Sequence, residues 1–286
     1  MLLTELSTQP LGGARAARAL ARVNFLHGLH ADIRPGDVLY TLLLFATQPA
    51  EFVARYEWRA LTEMERAAAA VYWAAVGVRM GVPAAAIPAT LEDMQAWARA
   101  YEAAHMRPHA LNHAIGVRTR ALLLYWVPTR AARWLGEQAV SALCDERLRR
   151  AMMFAPAAAG VPPLVEAVLA VRRWALLWLA LPRRARVMRL GERDKDTGKY
   201  HVNYFDNEPW YVKPTLWNRW GPWAMLARVM GKPVPGDSGF GAGGYEIESV
   251  GPVKFERLGH ETVRREAELL QKFVDKEGGA GTCPFA

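Results

Sequence analysis

The sequence predicts an all-α, mainly helical chain that folds as a single domain, with one small antiparallel β-hairpin in its C-terminal third. Three observations carry that prediction. Apolar residues recur at spacings of three and four through most of Ala14–Leu181. Helix starts are marked by Thr62, Thr90 and Thr129, and stops by Pro35-Gly36, Pro108 and Pro128. Only the stretch from Val187 to Tyr204 switches to the alternation of strands. The expected organisation is a helical core over 1–182, a hairpin-bearing helical extension over 183–277 packed on that core, and a flexible tail over 278–286.

Leu2–Gly12 reads as a short lead-in. A helix begins near Gly13, its first turns filled with alanine and arginine, both good helix formers. Leu20, Val23 and His27 fall at i, i+3 and i+7 and share a face that is apolar except for one imidazole. A histidine aimed at a core by such a helix is either a hydrogen-bonded core residue, the commoner case, or a metal ligand. The helix ends by Gly28 or His30. Asp37 is the N-cap candidate for the next one, which carries Val38, Leu39, Leu42, Leu43 and Phe45. Pro49 is expected to interrupt it, with Ala50–Tyr56 resuming as a new helix. Thr41, inside the apolar stretch, is expected to bond back to its own helix.

Thr62 with Glu65 three residues later matches a capping box. The alanine-rich helix it opens, Glu65–Gly81, is apolar nearly all round and should run through the core. Facing alanine-rich helices leave room for Trp58, Trp73 and Trp97, or for a flat macrocycle. Thr90 caps a helix through Met106. His105, His109 and His113 are spaced by four, but Pro108 breaks the helix that would align them, so they read as surface or turn residues. Glu102-Ala103-Ala104-His105 is one Glu-x-x-His pair, where a di-iron bundle needs two.

Ala114–Trp126 reads as a helix. Thr129 caps the next, Arg130–Leu143, whose pattern continues to Met153. Pro156–Pro163 is a linker. Val161–Leu181 is an apolar helix interrupted by Glu166, Arg172 and Arg173. Its tryptophans beside arginines would suit a membrane interface; buried packing with snorkelling arginines is the favoured reading. Val187–Leu190 and Tyr200–Tyr204 form the hairpin around the turn Asp194–Lys199. Trp210–Pro222 is rich in tryptophan; the edge of a flat macrocycle and a membrane surface are the alternative contacts, and packing of the tail onto the helical core is the favoured reading. Leu216–Met230 is a short helix, and Val234–Gly244 is a Gly-rich loop without the Gly-Lys-Ser/Thr of a phosphate loop. His260–Lys276 closes with a charged, exposed helix.

Composition narrows the classes. Among 286 residues, 52% are hydrophobic and 22% charged, which fits a globular chain and not a disordered one. The net charge of +8 comes with no nucleic-acid motif, so the arginines read as solvated helix faces and no nucleic-acid partner is expected. Cys144 and Cys283 make no disulfide framework, which points to a reducing, intracellular setting. The start, Met1-Leu2-Leu3-Thr4-Glu5, is not a signal peptide, and no apolar window reaches the ~18 residues of a membrane span.

Several long runs carry a family resemblance. RVNFLHGLH (22–30), DVLYTLLLFATQPAEFVARYEWRALTEMERAAAAVYWAAVG (37–77), LYWVPTRAARWLGEQAVSALCDERLRRAMMF (124–154), YHVNYFDNEPWYVKPTLWNRWGP (200–222) and PVPGD (233–237) together resemble the family of the rubber oxygenase (latex-clearing protein) and the ER-bound oxygenase MpaB, its fungal branch most. That resemblance implies a helical protein with haem b that splits a carbon–carbon double bond of an isoprenoid chain with dioxygen. His27 then stands where the family's axial ligand to the haem iron stands, Thr41 becomes a pocket residue, and 1–182 becomes the haem-binding core. A hydrogen-bond acceptor for the other ring nitrogen of His27 is expected. The resemblance also implies association with the endoplasmic reticulum membrane, here as peripheral contact.

The match begins at about Leu2. The family's Arg/Thr run on the distal side of the haem, which precedes the histidine helix, has no counterpart in Glu5–Gly12, so no residue inherits the distal role. The alternative function is a non-catalytic haem- or lipid-binding helical protein, a truncated or diverged paralogue.

Overall fold

The computed structural model describes residues 1–181 and 187–276, with side chains to Lys272. Expectations for 182–186, for the tail 278–286 and for Cys283 lie outside that range. The described chain is helical apart from one two-stranded antiparallel sheet, as the helix signals and the single change of period predict. It forms two compact units. The first gathers Met1–Leu39, Ala74–Ile87 and the described part of Ala185–Ala286; the second gathers Tyr40–Trp73 with Pro88–Arg184.

In the first unit the lead-in is itself a helix, α1 (Leu2–Thr8), which packs on α2 (Ala14–Gly28). The closing helix, α12 (His260–Lys276), is charged but not exposed all round. Val263, Ala267 and Leu270 stand at i, i+4 and i+7, and this stripe packs against Ala17, Ala21 and Phe25 of α2. Gly259, just before α12, takes a φ of +72°, and a Cβ there would sit 2.2 Å from the Phe25 ring, so the two segments meet at closest approach.

Two charges are fully buried in this unit. The Glu5 carboxylate is gripped by Arg15 through two bonds of 2.6 and 2.9 Å, and the Tyr245 hydroxyl donates to it. The Arg15 guanidinium lies 4.1 Å over the Tyr200 ring and donates to the Gly191 carbonyl at 3.0 Å. Arg22 is the second buried charge.

Strands β1 (Leu190–Arg193) and β2 (Tyr200–Val202) form the hairpin. Asp194 closes its turn by accepting from the amides of Asp196 and Thr197 at 2.9 and 3.1 Å. Those amides, chiefly that of Thr197, together with Lys213, hold the Asp194 carboxyl down at about 2. Tyr200 extends the sheet by bridging to Tyr245.

The stretch Leu216–Met230 is two helices, α10 (Leu216–Trp220) and α11 (Pro222–Val229). Gly221 separates them in an extended conformation; a Cβ there would fall 2.4 Å from the Trp217 carbonyl oxygen. Pro222 opens α11 at a position where its missing N–H costs nothing. The tryptophans of this stretch do not pack the tail onto a core. Ala224 and Ala227 face inward, while Trp217, Trp220 and Trp223 are exposed.

The second unit takes its core from Leu42, Leu43 and Ala46 of α3 (Pro35–Tyr56), Ala70 of α4 (Glu63–Arg79) and Leu91, Met94 and Ala98 of α5 (Leu91–His105). α3 begins ahead of Asp37, which sits in its first turn, where its charge complements the helix dipole. Pro49 does not split α3. It removes the donor to the Phe45 carbonyl, and both residues lie on the exposed side, where water replaces the lost bond. The Thr62–Glu65 capping box forms in both directions, at 2.8 and 3.2 Å. α4 does not run through the core along its whole length: its first turns are at the surface and Val71 is exposed, while Ala70 and the end from Val76 are buried.

Thr90 and Thr129 cap α5 and α7 (Arg130–Leu143) as predicted. α6 spans Ala110–Leu123, starting from a His109 cap earlier than the pattern implies. The helix after Leu143 is new: Asp145 accepts from the Leu148 amide at 2.8 Å and starts α8 (Glu146–Ala151). α9 (Val161–Trp178) packs on α7, but the buried packing expected for it is absent. Only Val161 is buried. Glu166 and Arg172 pair with Arg55 and Glu57 at 3.0 and 2.9 Å, and Leu164, Val168, Val171, Trp174 and Trp178 are exposed.

Candidate functional site

α2 is fixed along its first turns. Ala16, Ala17, Ala19, Leu20 and Ala21 are buried. The Arg22 guanidinium donates to the carbonyls of Val250 at 3.0 Å, Phe255 at 2.8 Å and Leu258 at 2.7 Å, so its planar fork collects the turns that precede α12. Asn24 donates to the Arg79 carbonyl at 3.0 Å and to Glu266 at 2.6 Å. These contacts fix α2 within the first unit.

His27 lies one turn further on. Leu20 is buried and Val23 half-buried, as the periodicity predicts, but His27 is not in the core. The helix outruns the turns that cover it, and His27, Gly28, Leu29 and His30 are all exposed. Partial burial of the imidazole, and secondly the charge of His30, push its pKa down from the ordinary value. No described residue hydrogen-bonds to the ring, so the expected acceptor for its second nitrogen is not among them. Space beside it is open: a Cβ on Gly28 would meet nothing within 4 Å. Leu29 and Ile33 present apolar surface nearby in the sequence.

An accessible imidazole can ligate iron, but the open space beside it is solvent and no described residue bonds its second nitrogen, so the described residues do not by themselves outline a haem slot. Because the folded-state value is depressed, His27 stays neutral as the pH falls to about 6.5, and the folded state loses this contribution only below that, on passing through the depressed value. An NMR titration of the ring is expected to give a midpoint under about 6.5. A midpoint above it would mean that the ring is paired with an anion, and this electrostatic picture would fail.

Thr41 sits on the exposed side of α3 and belongs to the second unit. Thr47, further along α3, bonds back to its own helix, its hydroxyl donating to the Leu43 carbonyl at 2.9 Å. The histidines at 105, 109 and 113 are occupied locally. His105 packs 4.3 Å from the Tyr101 ring, His109 caps α6, and His113 Nδ1 lies 2.8 Å from the Met152 carbonyl. Glu102 of the Glu-x-x-His pair is taken by Tyr40 and Arg147, at 2.9 and 3.2 Å. Among the described residues no group of three His, Cys, Asp or Glu is placed to hold a metal ion.

Sequence reasoning missed a cleft in the first unit. Its volume is about 590 Å³, and its walls include Tyr204, Trp210 and Tyr211, with Asp206 and Glu256. Arg189 pairs with Asp206 at 2.9 Å, and the Trp210 indole donates to Glu208 at 2.9 Å. His27 does not line it. The signal was present in the run Asn203–Tyr211, where aromatic and acidic residues crowd together. Such walls accept an apolar or planar guest and leave its polar end at the rim.

Comparison with known proteins adds to this geometry. Residues 6–178 match the family described as ER-bound oxygenase mpaB/B'/Rubber oxygenase, catalytic domain. The chain belongs to this family. The mpaB/rubber-oxygenase match includes all of α2, with His27, and runs to the end of α9. The chain is 35% identical over 288 residues to an ER-bound oxygenase mpaB' of Penicillium brevicompactum, covering 95% of this chain and 67% of that protein. It is 32% identical over 243 residues to an ER-bound oxygenase mpaB of the same organism, covering 79% and 55%. With an ER-bound oxygenase mpaB of Penicillium roqueforti (strain FM164) the identity is 37% over 153 residues, covering 49% and 51%. The chain thus spans between half and two thirds of the length of these relatives. No solved structure matches it. Membership places the chain in a family of oxygenases, which are oxidoreductases.

Proposed function

We propose that the chain is the catalytic part of a haem b-dependent oxygenase that cleaves a carbon–carbon double bond of an isoprenoid chain with dioxygen. The observation that supports this most is His27: an exposed imidazole, kept neutral by partial burial, at the end of a helix inside the segment shared with the family's catalytic domain. His27 would hold the iron through one ring nitrogen. The haem, when bound, would supply the iron at which dioxygen is activated.

What the protein itself contributes is positional. The buried fork of Arg22 and the bonds of Asn24 fix the helix axis, so the His27 ring projects from a rigid base. Leu29 and Ile33 offer the apolar surface that a porphyrin edge or a prenyl chain would cover. The location proposed is the surface of the endoplasmic reticulum membrane, in keeping with the relatives named as ER-bound.

Reconstitution tests the reading. Purified chain titrated with haem b is expected to develop an intense Soret band with one-to-one stoichiometry, and to consume oxygen with a polyprenyl substrate, yielding two carbonyl fragments. A chain that stays colourless after reconstitution defeats the proposal. A coloured chain that takes up no oxygen would instead support the non-catalytic, haem-binding reading.

A further inference from the structure

The pair α10–α11 is built inside out. In a helix of a water-soluble protein the large apolar residues face the core and the small or polar ones face solvent. Here Ala224 and Ala227 are the buried residues of α11, and its bulk lies outside. Leu216 is 84% exposed, Trp217 77% and Val229 85%, with Trp220 and Trp223 exposed beside them in the chain. Leaving this much apolar surface in water is unfavourable, and its size marks an interaction surface.

Its composition indicates the occupant. From Trp210 to Pro235 there is no acidic residue, and the bases are Lys213, Arg219, Arg228 and Lys232. The Arg228 guanidinium lies 4.9 Å over the Trp220 ring and donates to the Arg219 carbonyl at 3.3 Å. Arg219 sits 4.0 Å from Asp237 and Lys213 3.1 Å from Asp194, so both are anchored at the base of the platform. Tryptophan is the side chain that settles at the level of lipid headgroups, and basic residues around it complement an anionic bilayer. Among the described residues no helix is long and apolar enough to cross a membrane, so contact by this chain's described part is contact along a surface.

We propose that α10 and α11 form a membrane-docking platform, in which Leu216, Trp217, Trp223 and Val229 insert into the interface of an anionic bilayer while Arg228 meets its phosphate headgroups. The proposal deepens the location given above. It is tested by vesicle binding, a readout that owes nothing to haem or oxygen, so either reading can fail alone.

The test is flotation of the whole chain with vesicles of phosphatidylcholine alone and of phosphatidylcholine with about 30 mol % phosphatidylserine. Binding to the anionic vesicles is expected, weakening with salt, with a blue shift of tryptophan emission. A Trp217→Ser/Trp223→Ser variant is expected to bind about tenfold or more weakly with an unchanged circular dichroism spectrum. Leu216→Ser/Val229→Ser serves as the second variant, because side chains this exposed contribute nothing to the fold, and it too should lose binding. Arg228→Gln should reduce the preference for anionic over neutral vesicles. Wild-type chain that fails to float with anionic vesicles overturns the proposal, as does binding that both pairs of substitutions leave unchanged. Wild-type dimers that either serine pair converts to monomers, with no flotation, would assign the platform to a second copy of the chain and overturn it equally.

Discussion

Replacing His27 with alanine is expected to abolish haem binding, whereas His105→Ala leaves it intact. The two imidazoles differ in their surroundings. His27 is exposed, makes no ring hydrogen bond to a described residue and is held neutral, so its lone pair is available. His105 packs against Tyr101 in an aromatic stack with Trp97, and its loss removes a surface contact only. Loss of a direct iron ligand should exceed the about 10–100-fold that changes in the residues around a ligand cost. The Soret titration of both variants measures this, with His30→Ala as a third arm, because His30 offers another exposed imidazole three residues on. A His27→Ala protein that fills with haem to wild-type level would remove the basis of the site assignment.

The second large effect concerns stability. Arg15→Met leaves the Glu5 carboxylate buried without its guanidinium, with the Tyr245 hydroxyl bonded to it and the Met1 ammonium nearby. Breaking one side of a buried pair costs about 3–5 kcal/mol, because the remaining charge has lost both water and partner. Denaturant unfolding should show that loss in the midpoint, with the slope unchanged. Adding Glu5→Gln to Arg15→Met removes the stranded charge, keeps an acceptor for Tyr245 and should recover most of the stability. A single variant within about 1 kcal/mol of wild type would mean that water reaches Glu5.

What could be read in advance was local. Thr62–Glu65, Thr90–Asp93 and Thr129–Ala132 are contacts over three residues, and each cap formed where its residues stand. The Asp194 turn is of the same kind. The errors came where distant chain decides. Pro49 stays inside a helix because Phe45 faces water. Asp145 interrupts an apolar pattern that periodicity alone reads as continuous. The amphipathic pattern of α12 was visible, but its burial depends on α2, more than two hundred residues earlier. For α9 and α10–α11 the sequence shows which residues share a face; whether that face meets protein is a tertiary fact. His27 was identified from its helix and its family context, yet its position beyond the core depends on where the turns around Val250–Leu258 end.

The Arg22 fork has a consequence for biosynthesis. Its three acceptors, Val250, Phe255 and Leu258, and the α12 stripe that covers Ala17 and Ala21, leave the ribosome long after α2 does. Until then a nascent chain carries an alanine-rich helix and two charges destined for burial, with nothing to close over them. Such late, long-range closure slows folding and prolongs the window for aggregation. A stop codon anywhere before residue 250 would leave the opening helices of the protein permanently waiting for partners that are never made.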